Sequence, residues 1–329
     1  MYTYGPVSSW RYGRSLGIDV TTPPKKCTYN CVYCQLGVTK NHVTSPEDIQ
    51  NSLPPVNSIV DEVVSTLKRI DEKSVDVLTF SGTGEPTLNL QIGQIVSRIR
   101  NEVENIPIVL LTNASLFPRS DVRSAVSNFD IITAKYDAGD EETFKRINHP
   151  AKGTFSLQEI HEGIKELKRD AKGLLALEVM LLRGSHDLSN VDGKPRKSLI
   201  DGILDLNPDL VQIYTPWRPS PISSIKPVSS SELHDFGHEL EESMDSDKLW
   251  IYGIHDARGK QVVWKTHTNL VEETLTLLKR RPCRAIDVSL SLGIITALAL
   301  RTLDELQMNG ELSKEQVGSD IFFKIRKRN

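Results

Sequence analysis

Cysteine is scarce in this chain of 329 residues, which holds 4. Three of them fall in "CTYNCVYC", as Cys27, Cys31 and Cys34, and the fourth, Cys283, stands far downstream. So few, so clustered, argue against a secreted disulfide framework and for a metal or redox site in a reducing compartment. Long apolar runs are also lacking. None reaches the roughly 18 residues that a membrane span needs. The N-terminal "MYTYGPVSSWRYGRSLG" has no continuous apolar stretch of the kind a secretion signal carries. Net charge is only −3, too small to name a partner. It is unevenly spread: residues 265–329 carry 11 Lys/Arg against 8 Asp/Glu, a net of +3, which leaves −6 for residues 1–264. No internal repeat or low-complexity segment is visible. The expectation is a cytoplasmic protein with no membrane contact.

What is present is an alternation of strand-like and helix-like segments between about residues 15 and 252. Strands are expected at "SLGIDV" (15–20), "VDVLTF" (75–80), "IVLLT" (108–112), "IITAK" (131–135), "LLALEVMLL" (174–182) and "LVQIY" (210–214). Between them, apolar residues recur at helical spacing: Ile59, Val60, Val63, Val64, Leu67 and Ile70 form one such face, with Ser58 and Asp61 spaced as a capping box. Ile92, Ile95, Val96 and Ile99 form a second face, and Leu157, Ile160, Ile164 and Leu167 a third. Near-continuous apolar strands fit a parallel sheet covered on both sides. Six β-then-α units in series predict an α/β fold, a partial (β/α)6 TIM-like barrel over residues 1–252. On such scaffolds the chemistry gathers where strands end.

A polar, Gly-containing linker is expected at 253–268. Beyond it, "NLVEETLTLLKRR", "RAIDVSLSLG" and "ITALALRTLDELQMNG" read as three helices, and "ELSKEQVGSDIFFKIR" as a hairpin turning at Gly318 and Ser319. Three helices and a hairpin over 269–329 resemble a winged-helix domain.

The cysteine triplet follows the first expected strand. A [4Fe–4S] cluster is normally held by four thiolates, so three leave one iron open for a chelating ligand. A zinc site borrowing His42 is the alternative, although zinc sites pair a C-x2-C unit with a second one that Cys283 alone cannot supply. The second strand ends in "TFSGTGEPTLN", where Gly82 and Gly84 free the backbone beside Thr83 and Glu85. Further polar residues stand at later strand ends: Asn113, Lys135, Asp137 and Arg218. Lys135 and Glu178 lie within apolar strands, where a charge is costly unless paired or functional. Both are candidates for catalysis, with a structural ion pair as the alternative.

C-x3-C-x2-C with Tyr33 before the last cysteine, followed one β-α unit later by the Gly-Thr-Gly-Glu segment, resembles the radical S-adenosylmethionine superfamily. The resemblance implies that Cys27, Cys31 and Cys34 ligate a [4Fe–4S] cluster. It further implies that Gly82, Thr83, Gly84 and Glu85 hold the methionine moiety, and that Tyr33 shields the cluster or approaches the adenine, with Asn113 and Asp137 in the same cofactor site. The implied chemistry is reductive cleavage of S-adenosylmethionine and hydrogen abstraction from a substrate. An external electron donor of the flavodoxin or ferredoxin type would be required.

Over residues 5–228, "GPVSSWRYGRSLGIDV", "DAGDEETFKRINHP", "LEVMLLRG" and "VQIYTPWRP" extend the likeness. They resemble the iron–sulfur oxidoreductase branch classed beside the wyosine tRNA-base synthases. Those synthases carry extra N-terminal cysteines, whereas residues 1–26 here contain none, so one cluster is expected and pyruvate chemistry is in doubt. The substrate expected first is an RNA base, most concretely in tRNA. A protein residue or partner enzyme is the second reading, and a cluster-bearing redox regulator the third. The last expected helix carries only Arg301 as a base, against Asp304 and Glu305, which is sparse for reading nucleic acid.

Overall fold

The structure, a computed structural model, describes residues 1–326 apart from the side chain of Glu72. The basic run at the C-terminus therefore passes outside the described residues at 327–329. Eight strands form one curled, open sheet: β1 (Thr3–Ser9), β2 (Gly13–Ile18), β3 (Val77–Phe80), β4 (Ile108–Thr112), β5 (Ile131–Lys135), β6 (Leu174–Met180), β7 (Leu210–Tyr214) and β8 (Leu249–Ile251). Their order in the sheet is their order in the chain. β1 runs antiparallel to β2, and the other pairings are parallel. A singly wound parallel sheet of this kind is a partial barrel, as expected.

Helices fill the crossovers: α1 (Val56–Lys68), α2 (Ile92–Glu102), α3 (Ser120–Val126), α4 (Glu141–Asn148), α5 (Leu157–Asp170), α6 (Gly193–Leu206) and α7 (Ser230–Glu241). The apolar faces read from the sequence are the buried ones. Ile59, Val60 and Val63 of α1, the four named residues of α2 and those of α5 join one large core with Leu16, Leu78 and Leu110 of the strands. Ser156 and Glu159 close a capping box on α5. The box expected at Ser58 does not form, because α1 begins at Val56 behind Pro55, which places Ser58 within its first turn. Pro55 occupies the N-cap position itself, and the helix has no side-chain cap hydrogen bond.

Two edge strands escaped the sequence reading. β1 is interrupted by a bulge between Tyr4 and Val7, where Gly5 has φ +91°, so it shows no two-residue alternation. β8 is only three residues long.

After β8 the chain docks rather than dangles. Asp71 N donates to Val263 O at 2.9 Å, and Lys265 N donates to Arg69 O at 2.8 Å. Three further helices follow, α8 (Leu270–Arg280), α9 (Ala285–Leu292) and α10 (Thr296–Met308), and then a hairpin of β9 (Leu312–Val317) and β10 (Asp320–Ile325) turning at Gly318 and Ser319. They share a separate core built on Leu277, Val288, Leu303 and Phe323, with Cys283 buried in it. α8 and α9 also pack on β1. Among the described residues no single helix is long and apolar enough to cross a membrane. α9 and α10 meet that length and composition only jointly, across a 118° bend.

Candidate functional site

The strand ends open onto one cavity of about 330 Å³, within the range that holds a small molecule. Cys27, Cys31 and Cys34 lie on its wall, in the loop that follows β2. None is in a disulfide. Each sulfur has an N–H donor aimed at it: Asn113 Nδ2 at 3.6 Å from Cys27 Sγ, Asn148 Nδ2 at 3.5 Å from Cys31 Sγ, and Lys25 Nζ at 3.2 Å from Cys34 Sγ. Burial, reinforced by the charges of Cys34 and Asp137, pushes the Cys31 thiol up to about 11. Burial and the nearby Glu85 and Cys31 push Cys27 further up still. Ligation by iron must displace those protons.

Three sulfurs, each offered a donor that favours charge on sulfur, are a donor set suited to a cluster. Among the described residues, no three His, Cys, Asp or Glu side chains converge tightly enough to hold one metal ion. A single zinc would need its ligands within about 2.3 Å. His42 is exposed and lines a different surface pocket with Asn30, Thr44 and His149.

The Gly-Thr-Gly-Glu turn docks directly on the cysteine loop. Lys26 N donates to Thr83 O at 3.3 Å, and Glu85 N donates to Lys26 O at 3.0 Å. This docking explains the glycines better than ligand approach does. Gly84 has φ +137°, and a Cβ there would sit 1.7 Å from Lys26 O. A Cβ on Gly82 would meet Asp19 Cγ at 2.5 Å. Glu85 is buried, and its carboxylate accepts from Thr87 N (3.0 Å), Thr87 Oγ1 (2.7 Å), Thr112 Oγ1 (2.5 Å) and Asn113 N (2.7 Å). Burial nevertheless raises its pKa. Glu85 thus anchors the turn to the end of β4, and only Oε2 keeps spare acceptor capacity. Gly82, Gly84, Glu85 and Asn113 line the cavity. Thr83 stands behind that wall, its hydroxyl donating to Asp19 Oδ2 at 2.6 Å.

Asp137 is likewise a support. It is buried behind the wall and accepts from Tyr33 OH, from Asn148 Nδ2 at 2.9 Å and from Met180 N at 3.0 Å. It thereby fixes Tyr33, whose ring packs with Trp10, Val32, Met180 and Tyr214 beside Cys31. The aromatic before the last cysteine therefore lines the cavity beside Cys31, held in place by Asp137.

Lys135 and Glu178 come together at neighbouring strand positions, 3.2 Å apart, with side chains 11% and 12% exposed. Lys135 Nζ also donates to Tyr214 OH at 2.6 Å and lies 4.6 Å from that ring. Arg11, from the turn between β1 and β2, completes the group with Nη1 2.8 Å from Glu178 Oε2. Burial opposes ionisation of Glu178, but the Arg11 and Lys135 charges and the Tyr214 hydroxyl prevail and hold it down at about 2. Burial likewise opposes the Lys135 charge, yet Asp137 and Glu178 raise its pKa. Both groups are thus fixed in their charged forms, which suits positioning and electrostatics rather than proton exchange near neutral pH.

Several cavity residues were given no individual role by the sequence. Trp10, Arg11 and Tyr12 fall in a segment that carries the family likeness, but they belong to the unrecognised β1–β2 turn, and Tyr12 OH bonds Thr133 Oγ1 and Gln212 Nε2, each at 2.7 Å. Asn148 lies in another such segment and Lys25 in none, and neither is marked as a partner of sulfur until the fold brings it there. Arg280 and Arg281 close α8, where basic residues commonly favour the helix C-terminus. Here they line the cavity instead.

The Radical SAM superfamily matches residues 21–187, about half of the chain. The chain belongs to the radical S-adenosylmethionine superfamily. It is 31% identical over 329 residues to a UPF0026 protein of Methanocaldococcus jannaschii, covering 97% of this chain and 94% of that one. It is 30% identical over 325 residues to a GTPase Obg of Brachyspira hyodysenteriae, covering 98% of this chain but only 45% of that protein. Among solved structures, Streptococcus suis SuiB bound to S-adenosylmethionine superposes with a TM-score of 0.50 at 12% identity. That match covers 74% of this chain and 50% of SuiB, and is a likeness of fold. Enzymes of this superfamily bind a [4Fe–4S] cluster and S-adenosylmethionine, and the three thiols with their N–H donors fit the cluster.

Proposed function

We propose that this radical S-adenosylmethionine enzyme abstracts hydrogen from an RNA base, most concretely a base of tRNA. When bound, the cluster and S-adenosylmethionine together supply the hydrogen-abstracting radical. Cys27, Cys31 and Cys34 would hold the cluster, drawing an electron from an external flavodoxin- or ferredoxin-type donor. The backbone of Gly82 and Gly84, with Glu85 Oε2 and Asn113, would hold the methionine part. The Arg11–Glu178–Lys135 group would orient the substrate, and Tyr33 would keep water from the thiols.

The observation that carries the substrate reading is the aromatic lining of the cavity. Trp10, Tyr12, Tyr33 and Tyr214 line it together with the three cysteines. Aromatic faces in such a site hold a flipped planar base by stacking. The motif order resembling the wyosine-related branch supports the same reading, and so does the winged-helix pattern of α8–α10 with its hairpin.

A second reading, modification of a protein or activation of a partner enzyme, is favoured by α10. It exposes Leu298, Leu300 and Met308, and Ile295 just before it, where a nucleic-acid reader offers polar side chains. A redox regulator without catalysis has no use for a cofactor turn docked on the cysteine loop.

The test is anaerobic turnover of the cluster-bearing protein with dithionite and S-adenosylmethionine, offered total RNA or total protein. RNA-stimulated release of 5′-deoxyadenosine, with a mass change in one nucleoside, is the expected result. Stimulation by protein and not by RNA would replace the first reading with the second. An intact cluster that releases no 5′-deoxyadenosine with either would refute both.

A further inference from the structure

We infer that Arg218 and Arg281 form a clamp for an oxyanion group of the substrate, a carboxylate or a phosphate. The inference rests on the reading that this cavity is where substrate meets the cofactor. Arg218 lies in the segment after β7 and Arg281 directly follows α8, so two distant parts of the chain deliver a guanidinium each to one cavity. That cavity is the one walled by the three cysteines.

Arg281 is more than nine-tenths buried. Its Nε and Nη2 are shut off from solvent and have no hydrogen-bond partner among the described residues, and the same two atoms of Arg218 are equally unpartnered. In each guanidinium the free pair is therefore Nε with Nη2. That edge presents two parallel N–H groups, and it meets carboxylate or phosphate bidentately.

The neighbouring carboxylates are committed elsewhere. Asp19 pairs with Arg280 at 2.8 Å, and Asp287 is hydrogen-bonded to Arg284. Two like charges with unused donors, Arg281 buried and Arg218 half-buried, are costly. Among the described residues no carboxylate is hydrogen-bonded to either; Asp287 is near enough for its charge to act on both, but its hydrogen bonds go to Arg284. The proximity of the two arginines has consequences. Burial first, and then the Arg281 charge, bring Arg218 down to about 9. Arg218 is also held flat, its Cζ 3.7 Å from the centre of the Trp217 ring, so its fork is oriented before any ligand arrives.

A purely structural arginine would be expected to spend its donors on carbonyls or carboxylates. Arg196 does so at Glu239 and Asp235. Arg11, Arg123 and Arg280 each leave a buried Nε unpartnered, but each is ion-paired through another nitrogen, with Glu178, Glu166 and Asp19. Among the described residues, Arg218 and Arg281 are the arginines that leave the whole Nε–Nη2 edge buried and unpartnered, with no ion pair elsewhere, which suits a ligand site better than a scaffold.

The test uses cluster-bearing full-length protein under anaerobic conditions, with inorganic phosphate and acetate as probes read by 31P and 13C line broadening. Broadening of phosphate alone assigns a phosphorylated substrate, and broadening of acetate alone a carboxylate. Broadening of neither overturns the clamp. R218Q and R281Q should each weaken the bound ion about tenfold or more, the loss expected for a charge-assisted hydrogen bond.

Melting in ion-free buffer gives a second readout. Arg281→Met should match or exceed the wild-type Tm, because it removes an uncompensated charge. A clear fall in Tm with unchanged ion binding would show a structural arginine instead. S-adenosylmethionine binding by equilibrium dialysis should be unaffected in R218Q and R281Q, and an equal loss there would assign the pair to the cofactor and overturn the substrate clamp. All three readouts are independent of turnover, so failure of the RNA reading leaves them interpretable.

Discussion

Arg280 Nη2 lies 2.8 Å from Asp19 Oδ2, and both side chains are fully or almost fully buried. This pair ties the end of α8 to the end of β2. Asp19 Oδ2 also accepts from Thr83 Oγ1 at 2.6 Å, while its Oδ1 accepts from Thr21 N at 3.1 Å and Thr22 N at 3.0 Å. Arg280 reaches Thr83 Oγ1 as well. The C-terminal helices are thus latched to the turn that carries Gly82–Glu85. Removing the arginine leaves a buried carboxylate without its counter-charge, which costs roughly 3 kcal/mol or more. Arg280→Met should therefore lower stability by about that amount in urea titration, and loosen the 82–85 turn in hydrogen exchange. Deleting residues 266–329 should do the same, because it removes Arg280 together with the rest of α8. A variant as stable as wild type would show that the latch carries no energy.

The three N–H···S contacts give a prediction about redox poise. A donor hydrogen bond or a positive charge beside a cluster thiolate stabilises the reduced, more negative state and raises the potential. Asn148 serves Cys31 and Lys25 serves Cys34. Asn148→Leu and Lys25→Met should each shift the cluster potential to more negative values while the iron content stays unchanged. Cys27→Ala, Cys31→Ala and Cys34→Ala should instead abolish the cluster absorbance and its electron-paramagnetic-resonance signal. Unchanged potentials in both donor variants would mean that these contacts do not reach the loaded site.

The cysteine spacing and the Gly-Thr-Gly-Glu turn were legible because each is local: a few consecutive residues, one strand end, one chemistry. The six central strands were legible for a related reason, since their cores are apolar runs such as "IVLLT" with helical faces between. The cavity's electrostatics were not. Arg11 sits in a turn that follows a bulged edge strand, and it meets Glu178 across 167 positions of sequence. Arg281 lies at a helix end where basic residues are common, so nothing in "LLKRRP" separates a cavity arginine from a solvated one. The roles of Glu85 and Asp137 also depended on the fold, because a carboxylate's donors come from other strands. Sequence marked them as acids at a site. Geometry shows each of them supporting its neighbours.

Glu178 should make the protein acid-sensitive in a defined window. Its folded pKa is depressed from the ordinary 4.5 to about 2, so its stabilisation is complete above the unfolded value and is lost as pH falls from about 4.5 toward 2. The difference corresponds to roughly 3 kcal/mol. Between pH 6 and 8 the group stays charged and contributes no slope. Glu178→Gln should flatten the stability–pH curve below pH 4.5 while lowering stability near neutrality, because Arg11 and Lys135 lose their shared partner. An acid limb identical in the variant and the wild type would place the titration elsewhere.

Gly84 offers the sharpest test of the docked turn. Two independent constraints act there: φ of +137°, which side-chain-bearing residues rarely adopt, and a Cβ position 1.7 Å from Lys26 O. Ala at 84 cannot be accommodated by a rotamer change, since the clashing atom is backbone. The turn must move away from Lys26, breaking the bonds between Lys26 N and Thr83 O and between Glu85 N and Lys26 O. Lys26 is the residue before Cys27, so the cysteine loop moves with it. Gly84→Ala should therefore weaken S-adenosylmethionine binding by at least tenfold and reduce cluster loading on reconstitution, although the substituted residue is not an iron ligand. Gly153→Ala is the control: that glycine also has positive φ, at +95°, but nothing lies within 4 Å of its Cβ position, so strain acts there without a clash. Cluster loading equal in the two variants would separate the turn from the cysteine loop and remove the mechanical link between them.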